Sequence, residues 1–561
     1  MITKMNKFAL LLLMLCCTLS VSAASEAEYK KLAKTWTLNA DGSQEFRYNM
    51  ELTLYTHAAM NGKYGESFIV YNPKYQTLKI NESYTKQKDG SIVKTPANAF
   101  VEVLPKNAAD APAFNHLKEM VVVHTGLELG ATIYLDYTLT SKPGYLPELD
   151  IFEAIQQSSP VREYTLTTVT PSSKLVRYTL ANSSVKPAVK EEGGQRVTSW
   201  TLRNVPQLST SAFVDISNGD LPYLAATTYA DSKAALHTLN KQMDAEGDQV
   251  KELVAKVTKG SKCEKCKMKK IIGFIAGNLS ASALTLEQTG YRFRPVAEVL
   301  ATAYGTEVEK ANLMAAMLNA AGLKAEVLAG YPVKANQGLA LKAINHLYVS
   351  VGGQQYIFPI GSIARPQPVV FGLSPIYKVA DGTLVAVEAS QKHQIVGNQA
   401  VSVKDGKWVV ANQETVGADL LPYFAKEKAE KEVSEALHAQ NGYATLVLKE
   451  SAHGVNALGF GRLNSSRKGN LLLPRLVDEV YTYEVACPDN MQLRTPAGKK
   501  EIHNAAGDLV ISVEKKGQKA TITRSLKLTK QLYTSAEYKV LRDLMITWSD
   551  VNGKTLLFSV K

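Results

Sequence analysis

The sequence predicts a multidomain α+β protein: an N-terminal β-sandwich, a central domain of helices followed by an antiparallel sheet, and a C-terminal β-sandwich. Three observations predict it. At 561 residues the chain exceeds the size at which a single core keeps growing, so several cores are expected. Both ends alternate with period two: Phe46, Tyr48, Met50, Leu52 and Leu54 interleave with Arg47, Asn49, Glu51 and Thr53, and Leu509, Ile511 and Val513 do likewise near the other end. Between them lie apolar residues at helical spacing. With 45% apolar and 21% charged residues, the composition excludes a disordered chain and a multi-span membrane protein.

In chain order, Lys4 and Lys7 form a basic region, Phe8 to Leu15 an apolar one, and Val21-Ser22-Ala23 a small-residue cleavage signal. Residues 1–23 thus read as a signal peptide and the protein as exported, periplasmic or at the cell surface or beyond it. No later apolar run is long enough to span a bilayer. Without Lys4 and Lys7 the formal charge falls from +12 to about +10. Spread over so long a chain, with no aromatic-interleaved basic motif, that charge reads as a solvated surface and not as a nucleic-acid site.

Residues 24–225 are expected to form the first sandwich, with strands also around Ile133 to Leu139, Tyr164 to Val169 and Val197 to Leu202. Asp41-Gly42, Asp89-Gly90 and Gly193-Gly194 supply its turns. The second domain is expected over 230–375. Val250, Leu253, Val254 and Val257 mark one helix, and Met268, Ile271, Ile272 and Ile275 another. A third runs from Glu307 to Ala321, with Leu313, Met314, Met317, Leu318 and Ala321 as its buried stripe. Thr306 is its N-cap, Glu309 completes a capping box, and Gly322 fits the left-handed end position. Strands follow at Ala325 to Ala329, Leu347 to Val351 and Gln355 to Pro359. Residues 376–440 read as a linker, partly helical: Ala425 to Leu437 has helical composition, with Glu427 and Lys431 four apart. β alternation returns over 441–561, with a short helix at Tyr538 to Trp548 and a last strand at Thr555 to Val560.

Within the central region, Gly290-Tyr-Arg-Phe-Arg-Pro295, Glu298-Val-Leu300, Tyr304-Gly305, Lys310-Ala-Asn-Leu313 and Ala321-Gly-Leu-Lys-Ala-Glu-Val327 stand in order, followed by His346 and Tyr356-Ile-Phe-Pro359. This series resembles the core of the bacterial transglutaminase-like superfamily. Upstream, Asp41-Gly42, Asp89-Gly90, Leu129-Gly-Ala-Thr-Ile-Tyr134 and Pro160-Val-Arg162 resemble the family known as domain of unknown function 3857. Together the resemblances cover nearly all of the chain after the leader. They imply a papain-like, transglutaminase-type fold for the central domain. In active members a cysteine at a helix N-terminus is the nucleophile, a histidine accepts its proton, and an aspartate on the next strand orients the histidine. The helix dipole and the imidazolium lower the thiol pKa.

Carried onto this chain, the cysteine falls on Glu307, the preceding aspartate on Thr306, the histidine on His346 and the orienting aspartate on Phe358. Only the histidine is retained. The even separation of His346 and Phe358, with an odd-length turn at Gly352-Gly353, places both on one sheet face. Glu307, in the first helical turn, is expected to be ionised. Tyr304, Glu307, His346, Tyr348 and Phe358 are the expected binding residues of a cleft for a peptide, a cell-wall fragment or a glycan, with other envelope proteins as further partners. The main reading is a non-catalytic binding protein. The alternative is a hydrolase or lyase in which Glu307 and His346 act as acid and base.

Cys263 and Cys266 form a third candidate site, as a local disulfide or, less simply, as a disulfide-exchange pair among the basic residues Lys262, Lys265 and Lys267. They lack further ligands nearby for zinc, and the remaining histidines show no metal spacing, so neither a metal nor a cofactor is expected.

Overall fold

The alternating N-terminal runs pair into an eight-stranded sheet in the computed structural model, which describes residues 25–209, 211, 213–214, 221–243, 247–333, 337–353, 356–361, 375–386, 393–421, 428–459, 463–467 and 469–561. The signal peptide expected over 1–23 lies outside the described residues. The spatial order of the sheet is Ala188–Glu192, Gln195–Val205, Val161–Pro171, Ala27–Leu38, Gln44–Leu54, Thr132–Ser141, Gln76–Lys86 and Ile92–Lys94. One neighbouring pair, Ala27–Leu38 with Val161–Pro171, is parallel. Alternate residues such as Leu32, Trp36, Met50, Leu52, Ile133, Leu135, Tyr164 and Trp200 fill a single core. A three-stranded sheet of Arg177–Ala181, Tyr223–Thr227 and Asp150–Ala154 closes that core through Ile151, Leu224 and Ala226.

The Tyr223–Thr227 strand has two cores to serve. Leu224 and Ala226 belong to the sandwich, whereas Tyr223 and Ala225 face the central domain. This is the two-sided burial of a strand with no solvent face. The central domain approaches it so closely that a Cβ on Gly338 would stand 2.2 Å from the Ala225 carbonyl oxygen. Only glycine fits there.

Five helices lead into the central sheet: Ser232–Asn240, Asp248–Val257, Glu264–Asn278, Val296–Thr302 and Glu307–Ala320. Asp231 caps the first by accepting the Ala234 N–H at 2.7 Å. The sheet is antiparallel, in the order Tyr356–Pro359, His346–Val351, Ala325–Gly330, Ile376–Lys378. The Glu307–Ala320 helix lies between this sheet and the helices before it, so it is buried all round from Val308 to Leu318 and not along one stripe.

The C-terminal domain is built on a seven-stranded sheet ordered Lys428–Ala436, Lys407–Val416, Gln394–Lys404, Asp478–Ala486, Lys519–Leu528, Gly507–Lys516, Gly498–Asn504. Three of those strands fall within the expected linker, 376–440. The helix expected at Ala425 to Leu437 is not formed: Lys428–Ala436 is an edge strand paired with Lys407–Val416. Helical propensity there is worth a few tenths of a kcal/mol per residue, roughly, and yields to a full ladder of backbone hydrogen bonds. The Glu and Lys residues of this segment suit an edge that must not pair further. The helix at the end of the domain spans Tyr538–Ser549, and a second sheet carries the closing strand Thr555–Val560. No helix of the described residues is long and apolar enough to cross a membrane.

Candidate functional site

The site is organised by the start of the Glu307–Ala320 helix. The Glu309 carboxylate accepts the Thr306 N–H at 2.8 Å, and the Thr306 hydroxyl accepts the Glu309 N–H, so the expected capping box is present. Arg294 braces it from behind. Its guanidinium donates to both Glu309 oxygens, at 2.9 and 3.0 Å, and to the Tyr304 carbonyl at 2.8 Å, while its backbone N–H reaches Glu309 at 3.0 Å. The guanidinium also lies 4.4 Å from the Tyr304 ring centroid. Arg294 and Glu309 are both buried. An ion pair out of water is tolerated only when every donor and acceptor is used, as here.

Forward of this frame, Glu307 and His346 line one cleft of about 360 Å3. Its apolar wall includes Phe152 from the N-terminal sandwich together with Leu286 and Ile344, and its polar groups include Glu287 and Lys342. Glu307 Oε1 accepts the Leu347 N–H at 3.0 Å, tying the helix start to the strand that carries His346. Burial raises the Glu307 carboxyl above its ordinary range; the Leu347 N–H and nearby His346 act downward and do not overcome it. The net direction is thus opposite to what the helix dipole alone would give. His346 is exposed at the start of its strand. Tyr348, two residues on, has its hydroxyl pushed up to about 12 by burial and by the charge of Glu307.

Three expected cleft residues are elsewhere, and one of them, Tyr348, is buried with Leu328, Ile357 and Ile376. Tyr304 packs with Phe114 and Leu284 in the seam against the N-terminal domain, and its hydroxyl accepts the Ala113 N–H at 2.6 Å. Phe358 is fully buried in the central core. Its face is also the other one. Tyr348 pairs with Pro359, Val349 with Phe358 and Val351 with Tyr356, so the connection is of even length and not odd. Side chains alternate, which puts Phe358 with Leu347, Val349 and Val351, and puts His346 with Tyr348, Ser350, Ile357 and Pro359. The Ile360 N–H donates to the Leu347 carbonyl and continues this register, so the position directly opposite His346 is Gly361. Neither Gly361 nor any residue of Tyr356–Pro359 is an acid, so this strand brings no carboxylate to His346.

Cys263 and Cys266 are joined by a disulfide at the start of the Glu264–Asn278 helix. The remaining described thiol, Cys487, is half-buried in the C-terminal domain, and burial raises it. Neither place lines the cleft. Among the described residues no cluster of His, Cys, Asp and Glu could hold a metal ion.

Two cleft residues, Glu287 and Lys342, and the neighbouring Asp150 escape a sequence reading. Lys342 Nζ lies 2.7 Å from Glu287 Oε1, and the Lys342 N–H donates to Asp150 Oδ2 at 2.8 Å. Burial pulls the Lys342 ammonium down, but Glu287, Glu153 and Asp150 together hold it above its ordinary range. Nothing local marks these partners, since Asp150 and Lys342 are 192 residues apart.

Residues 251–361 match the Transglutaminase-like superfamily, residues 40–209 the Domain of Unknown Function DUF3857, and residues 451–558 the Domain of Unknown Function DUF3858. A crystal structure from Parabacteroides distasonis ATCC 8503, named a "putative protease", is 41% identical, with 95% of this chain and 99% of that one covered at a TM-score of 0.82. The chain belongs to the transglutaminase-like superfamily. Legionella pneumophila aminopeptidase A, at 8% identity over 43% of this chain and 28% of its own, reaches a TM-score of only 0.22. The M1 zinc metallopeptidase of Deinococcus radiodurans, at 11% over 46% and 57%, reaches 0.19. At those scores neither carries an argument. No curated protein matches. In this transglutaminase-like domain the helix start carries Glu307, tied through the Leu347 N–H to the strand that begins at His346.

Proposed function

We propose that this transglutaminase-like protein is exported and binds an extended peptide in the cleft between its first two domains, without cysteine chemistry. The observation that carries the reading is the role of Glu307. The side chain at the helix N-terminus is a hydrogen-bond acceptor that holds the His346 strand in place, and no cysteine stands among the residues that line the cleft. The lack of an acid on the Tyr356–Pro359 strand to orient His346 fits the same reading. An apolar wall of Phe152, Leu286 and Ile344 beside the Glu287 and Lys342 charges suits a polypeptide better than a glycan, which would ask for flat aromatic faces and many neutral donors. The description of the Parabacteroides relative points to the same ligand class. The basic and apolar leader over 1–23 supports export, and the Cys263–Cys266 disulfide suits an oxidising compartment.

Calorimetric titration of the full-length protein with an alanine-rich peptide, a muropeptide and a glucan oligomer tests this. Saturable binding of the peptide with no cleavage product by mass spectrometry is expected. Turnover of any of the three that disappears in Glu307→Gln would replace binding by acid–base catalysis.

A further inference from the structure

Two separate three-stranded sheets cover the inner face of the large N-terminal sheet. One is the sheet of Arg177–Ala181, Tyr223–Thr227 and Asp150–Ala154; the other, ordered Glu66–Tyr71, Lys118–Val123, Phe100–Val103, joins the same core through Ile69 and Val122. Glu66–Tyr71 is thus an edge strand, and among the described residues no strand pairs with its other side. The register fixes which groups that edge presents. The His124 N–H donates to the Gly65 carbonyl at 2.9 Å, in line with the pairing of Glu66 with Val123. Hydrogen-bonded pairs alternate along an antiparallel ladder, so Ser67, Ile69 and Tyr71 direct their backbone groups to Lys118–Val123, and Phe68 and Val70 direct theirs to the open side.

That side is a cavity of about 340 Å3, lined by Phe68, Ile69, Val70 and Tyr71. It adjoins the cleft, since Thr285, Glu287 and Lys342 line both. Its floor is the inner face of the large sheet, where Trp36, Phe46 and Leu139 stand opposite one another across three strands with Tyr137 beside them. Ring centroids are 5.5 Å apart for Trp36 and Phe46 and 6.1 Å apart for Phe46 and Tyr137. An edge that merely faces solvent is usually blunted by charge or proline, as Lys428–Ala436 is by its Glu and Lys residues. Phe68-Ile-Val-Tyr71 has neither.

We propose that the polypeptide bound in the cleft continues into this cavity as an added strand on the free edge of Glu66–Tyr71. The N–H and C=O groups of Phe68 and Val70 pair with the main chain of the guest, and every second guest side chain lies on the floor of Trp36, Phe46, Tyr137 and Leu139. Donors and acceptors repeating every two residues, about 6.6 Å, match another peptide backbone and no sugar chain. The shared wall makes the occupant the ligand of the cleft and not an unrelated chain. Because side chains alternate along a strand, the guest is expected to carry apolar residues at every second position. The inference rests on the peptide-binding reading and adds to it the conformation and the residue pattern of the ligand.

The test is titration calorimetry of the full-length protein with acetyl-Ser-Val-Thr-Phe-Thr-Val-Ser-amide and two N-methylated forms, one methylated at its valine and phenylalanine residues and the other at its two threonines. A strand pairs along one edge through alternate residues only, so one form should lose about ten-fold or more in affinity while the other stays near the parent. Hydrogen exchange across 66–71 should slow by about ten-fold or more at saturation with the parent. Val70→Pro deletes an edge donor that the ladder does not use; it should weaken the parent peptide by about ten-fold with a melting temperature within about 3 °C of wild type. Should that variant not fold, the methylated pair and the exchange reading decide the matter on the wild-type protein. With the parent bound, equal affinity for the two methylated forms, or unchanged exchange across 66–71, overturns the added strand and leaves the cleft reading standing. If the parent fails to bind while an alanine-rich peptide binds, the added strand falls alone; if neither binds, the cleft reading falls with it. Protection of 66–71 that rises with protein concentration in the absence of peptide assigns the edge to a second copy of the chain and overturns the polypeptide as its ligand.

Discussion

Glu307 and Glu309 stand two residues apart in the first turn of one helix, and they lead different lives. Glu309 faces inward, where Arg294 and the Thr306 N–H use both of its oxygens. Glu307 faces the cleft, with one backbone donor and an exposed histidine for company. The difference teaches that the group which holds the helix start and the group which fronts the cleft are separate side chains. Behind the helix end the Glu309 carboxylate has a donor on each oxygen and the geometry is held; in front of it Glu307 gives one oxygen to the Leu347 N–H and borders the cleft.

The sharpest way to break the comparison is to remove the brace. Arg294→Met leaves Glu309 buried and uncompensated, and should cost about 3–5 kcal/mol in denaturant unfolding. Asp150 should show the next largest effect, through pH. Its folded-state pKa, about 7, lies above the usual aspartate range. A raised carboxyl adds stability that is fully present below the unfolded pKa and lost as the pH rises through the folded one. Wild type should therefore lose up to about 4 kcal/mol relative to Asp150→Asn between pH 4 and 8, read from paired unfolding curves. Third comes chemistry. Glu307→Cys alone should stay at background in a transamidation assay, while Glu307→Cys with Gly361→Asp should gain about 10- to 100-fold. An efficient single variant would show that His346 needs no orienting acid. The smallest effect belongs to Glu307→Gln, which keeps the acceptor for Leu347 and should change stability by less than about 1 kcal/mol.

What could be read in the sequence was local. The capping box at Thr306 and Glu309, the helix after it and the alternating strands of both sandwiches depend on residues within a few positions of one another. Glu307 and His346 could be set in one cleft because the resemblance spans both. The failures are of longer range or of parity. One residue in the length of the turn after Val351 decides whether Phe358 or Pro359 shares the sheet face of His346, and nothing in Gly352-Gly353 settles it. Arg294 was visible as part of a motif, but its service to Glu309 required the fold. Asp150 meets Lys342 only after two domains have packed. The Lys428–Ala436 strand was hidden by a composition that favours helix, since its partner, not its own residues, makes it a strand.

The Tyr223–Thr227 strand has a consequence for how such a protein can be cut. Its odd and even residues close two different cores, so a gene fragment that ends at 225, or begins at 230, divides neither domain cleanly from the other. A fragment ending there severs the strand, and one beginning there lacks it, leaving the central core without Tyr223 and Ala225. Any cut that parts the first two domains breaks a strand that both cores share, so neither core is complete without the other's stretch of chain.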